Sequence, residues 1–179
     1  MELIRRFRER LHERQFRRGG IPVERHSVDF DQAERVGLLF DATHQNDRET
    51  VRHFADSLER QGKKVKLLGF IDTKEAADHY PYPTFTRKDL NFNLVPTAPQ
   101  VAEFMRERWD VLINLSSPDH IPIDYITHHS QARFRVGPLT QRQPGYELMI
   151  DPPKGGDLSA FIEQVMFFLK KMNKHASKS

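Results

Sequence analysis

Short apolar runs alternate with segments of helical periodicity along most of this chain, and that alternation restricts the fold more than any other feature. The first run, Val36-Gly37-Leu38-Leu39-Phe40-Asp41, reads as a buried strand. Residues 47–61 follow with Val51, Phe54, Ala55 and Leu58 at helical spacing, Asp47 as the expected N-cap and Gly62 as the expected stop. A second strand is expected over 65–71 and a short helix near 74–79. Pro99 fits the first turn of another helix, with Val101, Phe104 and Met105 inward. Strands are expected over 111–115, 132–136 and 147–150, with a helix over 122–130 between the first two. Gly155-Gly156-Asp157 opens the closing helix, whose Leu158, Phe161, Ile162, Val165, Phe168, Leu169 and Met172 keep helical spacing.

Strands alternating with helices imply βαβ units. The expected fold is therefore α/β: one three-layer domain with a mainly parallel five-stranded sheet, strand order near 2-1-3-4-5, flavodoxin-like or Rossmann-like. The runs 36–40 and 111–115 should lie side by side at its centre, because neither is interrupted by a solvent-facing residue. Residues 21–172 form this domain, 1–20 a helical arm, and 173–179 a flexible polar tail. Segment 80–98 carries Pro81, Pro83 and Pro96 with Tyr80, Tyr82, Phe85 and Phe92. It reads as a long covering loop whose aromatics pack onto the sheet, with a binding role as the alternative.

The stretches Arg35-Val36-Gly37-Leu38-Leu39-Phe40, Trp109-Asp110-Val111-Leu112-Ile113, Ala132-Arg133-Phe134-Arg135-Val136-Gly137 and Tyr146-Glu147-Leu148-Met149-Ile150-Asp151 have a characteristic order and spacing. So does the segment from Phe85 to Phe92 with Lys88-Asp89 inside it. Together they resemble an uncharacterised family of small bacterial α/β proteins. The resemblance spans most of the chain but consists of strand cores. It implies no activity, cofactor or catalytic residue.

Charge is distributed unevenly. The net charge is +3, yet residues 1–20 hold seven arginines against three glutamates, which leaves 21 basic and 22 acidic residues in the remainder. Leu3, Ile4, Phe7 and Leu11 share one face of this arm, and Gly19-Gly20 with Pro22 ends it and makes a hinge. Arg5, Arg6, Arg8, Arg10, Arg14, Arg17 and Arg18 suit phosphate recognition, since each guanidinium fork binds two oxygens. The expectation is a non-catalytic binding protein whose arm contacts an acidic partner such as RNA, a ribonucleoprotein or the ribosome. Docking of the arm's apolar stripe on the body is the competing reading. Contact with anionic lipid ranks last, because the apolar face is narrow and lacks tryptophan.

The alternative function is a small enzyme or ligand-binding domain using the crevice at the carboxyl ends of the strands. There the sequence presents Asp41, Thr43 and His44, then Asp72 and Thr73, then Ser116, Ser117, Asp119 and His120. The ligand-crevice candidates are Asp41, His44, Asp72, Ser116, Ser117 and Asp119. No catalytic residue is assigned. Ser116 and Ser117 lack a GxSxG elbow, and Ser-Ser-Pro-Asp reads equally as a turn. A phosphate cradle is disfavoured, since the loop from Ala42 to Asn46 has no glycine and its helix opens with Asp47 and Glu49. No cofactor motif is present.

Cysteine is absent, which removes disulfides, thiolate nucleophiles and Cys-ligated metals. Nine histidines remain, but none forms an HExxH pair, and His128-His129 diverge by about 100° on a helix. No metal site is expected. The lack of a secretory leader and of any apolar run of about 20 residues points to a cytoplasmic protein.

Overall fold

β1 (Arg35–Asp41) is buried from Val36 to Phe40, as an uninterrupted apolar run requires, and the sheet extends from it in both directions. The computed structural model describes residues 28–75, 80–140 and 145–176. Among these, β2 (Lys64–Ile71), β3 (Thr84–Thr86), β4 (Val111–Asn114), β5 (Phe134–Pro138) and β6 (Leu148–Ile150) complete one sheet. Its order is β3-β2-β1-β4-β5-β6, and every neighbouring pair is parallel. β1 and β4 are adjacent at the centre, as their apolar character predicts.

Among the described residues four α-helices cover the two faces. α1 (Gln45–Arg60) and α4 (Leu158–Ala176) pack on one face against Leu38, Phe40 and Ile113. α2 (Pro99–Arg106) and α3 (Ile121–His129) pack on the other against Leu39, Leu68 and Leu112. Chain direction explains the division. β1 and β2 are joined through α1 on one side of β1, whereas β3 and β4 are joined through α2 on the opposite face. A right-handed crossover reverses face when the sheet grows in the other direction.

The sheet has six strands rather than the expected five. β3 lies inside segment 80–98, which reads as a loop because Thr84-Phe85-Thr86 has one apolar residue and prolines close by. An edge strand this short needs only Phe85 to be buried, and Phe85 is fully buried against Phe70. Pro83 gives its carbonyl to the Gly69 N–H, and Thr86 with Asp89 closes the strand in a capping box. Leaving β3 aside, the other five strands stand in the expected order.

Three local expectations are corrected. α1 begins at Gln45 with His44 at its N-cap, not at Asp47. The preceding loop satisfies itself: Arg48 Nη1 donates to the carbonyls of Ala42 and Thr43 at 2.7 and 2.9 Å, and Asp41 Oδ1 accepts from the Thr43 N–H. Phe168 is 38% exposed and Phe167 60% exposed, because the buried stripe of α4 runs through Phe161, Val165, Leu169 and Asn173. Phe168 stands about 100° from Leu169 around the helix. Finally, α4 continues through the beginning of the supposed tail to Ala176.

Other helix ends follow the sequence. Gly62 takes φ +84 just after α1, where its N–H and that of Lys63 reach back to Glu59 and Leu58. Asp157 caps α4 through its Oδ1, which accepts from the Ala160 N–H at 3.0 Å. Among the described residues no helix is long and apolar enough to cross a membrane. The helical arm over 1–20, its Gly19-Gly20 hinge, most of the short helix near 74–79 and the end of the tail lie outside the described residues.

Candidate functional site

β1 and β4 are neighbours whose following connections leave in opposite directions, to α1 on one face and α3 on the other. The loops diverge there and open a crevice beyond the carboxyl ends. Asp41 ends β1 inside it. One Asp41 oxygen holds the Thr43 N–H, and the other lies 3.8 Å from His120 Nε2. The loops after β1 and β2 are joined, since the Asp72 N–H donates to Thr43 Oγ1 at 2.9 Å. Asp72 in turn takes both Nε and Nη2 of Arg87, the latter at 2.7 Å. Asp119 turns the chain into α3 with φ +61, a backbone state that few non-glycine residues occupy, and accepts from the Thr140 hydroxyl.

Two recesses meet at Asp41. The larger has a volume of about 680 Å³, with Asp41, Asp72, Asp119, His120, Lys74 and Arg87 as its polar groups. Phe70, Leu90 and Leu94 supply part of its apolar lining. The smaller, about 410 Å³, brings Asp41 together with His44, Asp47, Ser116, Ser117 and Asp157. Every crevice candidate named from sequence therefore lies in one recess or the other, and Asp41 lies in both.

His120 lies across from Asp41. It packs edge-on against Phe70 with ring centroids 5.0 Å apart, and burial pushes its pKa below the usual histidine value, against the pull of the Asp41 charge. Its Nδ1 is buried and, among the described residues, has no side-chain or backbone hydrogen-bond partner. The crevice thus favours the neutral form of this imidazole and, among the described residues, leaves one of its polar atoms unmet, an uncommon state for a buried ring.

Beneath the crevice lies a polar network that sequence reasoning did not identify. Asn114 Nδ2 donates to the Tyr146 hydroxyl at 2.5 Å, Tyr146 donates to Asp124 Oδ1 at 3.1 Å, and Asn114 Oδ1 holds the Ser116 N–H. Burial, with the Asp124 charge, pushes the Tyr146 phenol well above its usual value, so it stays protonated. Arg135, fully buried, donates Nε and Nη2 to the two oxygens of Glu147 and Nη1 to the His128 carbonyl. Their only signal in the sequence was a polar residue inside an apolar run, as in Val-Leu-Ile-Asn-Leu and Phe-Arg-Val.

Nucleophilic and phosphate chemistry find little support in this geometry. The Ser116 hydroxyl donates to the Ser117 carbonyl, and among the described residues no hydrogen bond joins it to a base. The loop after β1 is tied down by Arg48, and Asp47 occupies the first turn of α1, where the helix dipole favours negative charge. Among the described residues no three His, Asp or Glu side chains are grouped to hold a metal ion. His128 and His129 stand 5.0 Å apart edge to face, with His129 Nδ1 bound at the Tyr125 carbonyl. The contribution of segment 80–98 is clear. Phe85 is core, and Tyr80 and Tyr82 stack and pack against the core, while Leu90, Leu94 and Arg87 wall the larger recess. Phe92 is 61% exposed. The seven arginines Arg5, Arg6, Arg8, Arg10, Arg14, Arg17 and Arg18 lie outside the described residues.

No curated protein and no solved structure matches this chain. A family model does, over residues 8–172, which takes in all six strands and the arm from Arg8 onward. On that match the chain belongs to the family of unknown function DUF6913.

Proposed function

We propose that this protein is a binding module for a small molecule that presents hydroxyl or ammonium donors, held in the crevice between the ends of β1 and β4. The observation that carries this reading is the convergence of Asp41, Asp72, Asp119 and His120 from three separate loops on one recess of about 680 Å³ with apolar walls. Carboxylates only accept hydrogen bonds, so a matching ligand donates them. Among the described residues the recess holds two cations, Arg87, which is engaged by Asp72, and Lys74, against the three carboxylates of Asp41, Asp72 and Asp119, a balance that weighs against an anionic ligand. The strand order fits a Rossmann-like sheet, in which ligands sit at this position. The fold alone says nothing of which ligand.

Thermal-shift measurements on the full chain test the reading. Neutral sugars, nucleosides and small amines should include compounds that raise Tm, and their phosphorylated counterparts should not. Asp41→Asn should abolish the shift. Stabilisation by the phosphates alone, or shifts that survive Asp41→Asn, would refute it.

A second reading rests on the arm, whose net charge of +4 contrasts with −1 for the rest of the chain. This arm contacts an acidic partner, RNA or the ribosome, in the cytoplasm. RNA affinity should then fall steeply with salt, since neutralised phosphates release counterions. Changing Arg5, Arg6, Arg8 and Arg10 to Gln should weaken binding and flatten that slope. Deletion of residues 1–18 should abolish binding and leave the sheet folded. Equal binding by all three proteins, or by none, removes this reading. A deletion that unfolds the protein shows instead that Leu3, Ile4, Phe7 and Leu11 belong to the core.

A further inference from the structure

β2 is longer than the strand that covers it. β3 pairs only with Gly69, Phe70 and Ile71, so among the described residues the outer edge of β2 from Lys64 to Leu68 has no strand beside it. Along a strand, the backbone groups of every second residue point to the same edge. The Gly69 N–H points outward to Pro83, and the Lys64 N–H and Phe70 carbonyl point inward to the β1 side. Val65 and Leu67 therefore aim two N–H and two carbonyl groups outward, and among the described residues nothing pairs with them.

This edge is the floor of a groove of about 340 Å³, walled by α1 on one side and α2 on the other. Its charges are not balanced. Lys66 Nζ binds Glu107 at 2.6 Å, Arg35 joins the same carboxylate, and Arg52 lies 3.7 Å from Asp56. Among the described residues no cation pairs with Glu59 on the α1 wall or Glu103 on the α2 wall. Edge lysines commonly guard a strand against pairing, but the Lys66 ammonium is engaged by Glu107.

We propose that this groove is a docking site for an extended basic segment of a partner protein, which adds as a strand along β2. Val65 and Leu67 supply its backbone partners. Side chains of an added strand alternate between the two faces of the sheet, so consecutive residues meet opposite walls. Two adjacent basic residues would face Glu59 and Glu103. Charge also disfavours pairing with the same β2 edge of a second copy, which would bring identical carboxylates together.

Two blocked decapeptides of alternating Thr and Val serve as probes, one with Lys-Lys at its centre and one with Glu-Glu. The readouts are amide hydrogen exchange at single residues and calorimetric affinity, both on the full chain. The Lys-Lys peptide should slow exchange of the Val65 and Leu67 amides by about tenfold or more while leaving the crevice unaffected. Glu59→Gln with Glu103→Gln, both at exposed positions, should weaken its binding by about tenfold. Unchanged exchange at Val65 and Leu67 overturns the proposal. So does equal binding of the Glu-Glu peptide, or sedimentation showing that the edge is protected by self-association.

Discussion

The side-chain oxygen of Asn173 accepts a 2.8 Å hydrogen bond from the Phe30 N–H, across 143 positions of sequence. It joins the last turns of α4 to the segment that leads into β1. Both residues are buried, and Lys63 closes the same corner through the carbonyls of Phe30 and Ala33 at 2.7 and 2.8 Å. Asn173→Ala should therefore lower stability by about 1–3 kcal/mol, the cost of a buried donor left without its acceptor. Chemical denaturation measures it. A midpoint equal to wild type would show that this end of α4 is already frayed.

The two faces of α4 separate equally well by mutation. Leu169 is buried at the sheet and Phe168 beside it is partly exposed. Leu169→Ala should cost about 2–5 kcal/mol, and Phe168→Ala much less than the 3–5 typical of a core aromatic. Urea midpoints for the two variants decide this, and the reverse ranking would place the inner face of α4 incorrectly.

Glu147 is the carboxylate partner of the buried Arg135 guanidinium. Glu147→Ala leaves that charge without its counter-ion, and such a loss costs about 3–5 kcal/mol. Replacing both residues, Arg135→Met with Glu147→Leu, should cost less than the single change. A single mutant as stable as the double would mean that carbonyls alone satisfy Arg135.

Acid should destabilise the fold through His120 and His129. Burial lowers both pKa values below the ordinary 6.5, so the unfolded chain binds protons that the folded one resists. Their contribution is present above the unfolded value and is lost as pH falls through about 6.5 toward the folded values. The wild-type midpoint should fall between pH 7.5 and 5.5 more steeply than that of His120→Gln with His129→Gln. Parallel curves would show that neither ring resists protonation.

Gly137 is a steric test of the network below the crevice. A Cβ built there would stand 2.5 Å from the Tyr146 ring. Gly137→Ala should displace Tyr146 and loosen the Ser116 amide that Asn114 holds, seen as faster hydrogen exchange at Ser116. Unchanged exchange would show that the ring is free to shift.

Much of the architecture is determined by sequence alone. The unbroken apolar runs of β1 and β4 require burial on both faces, and that requirement places them at the centre of a parallel sheet. Gly62 and Asp157 mark helix ends because backbone geometry and capping are local matters. The crevice candidates were also legible, since the ends of parallel strands are known once the strands are. What tertiary structure alone decided is wherever pairing is non-local. β3 exists because β2 offers it an edge, Phe168 is exposed because the sheet meets a neighbouring stripe of α4, and Asn173 is buried because Phe30 needs an acceptor. The pairing of Arg135 with Glu147, and the meeting of His120 with Asp41, follow from strand adjacency and chain turns that no spacing in the sequence encodes.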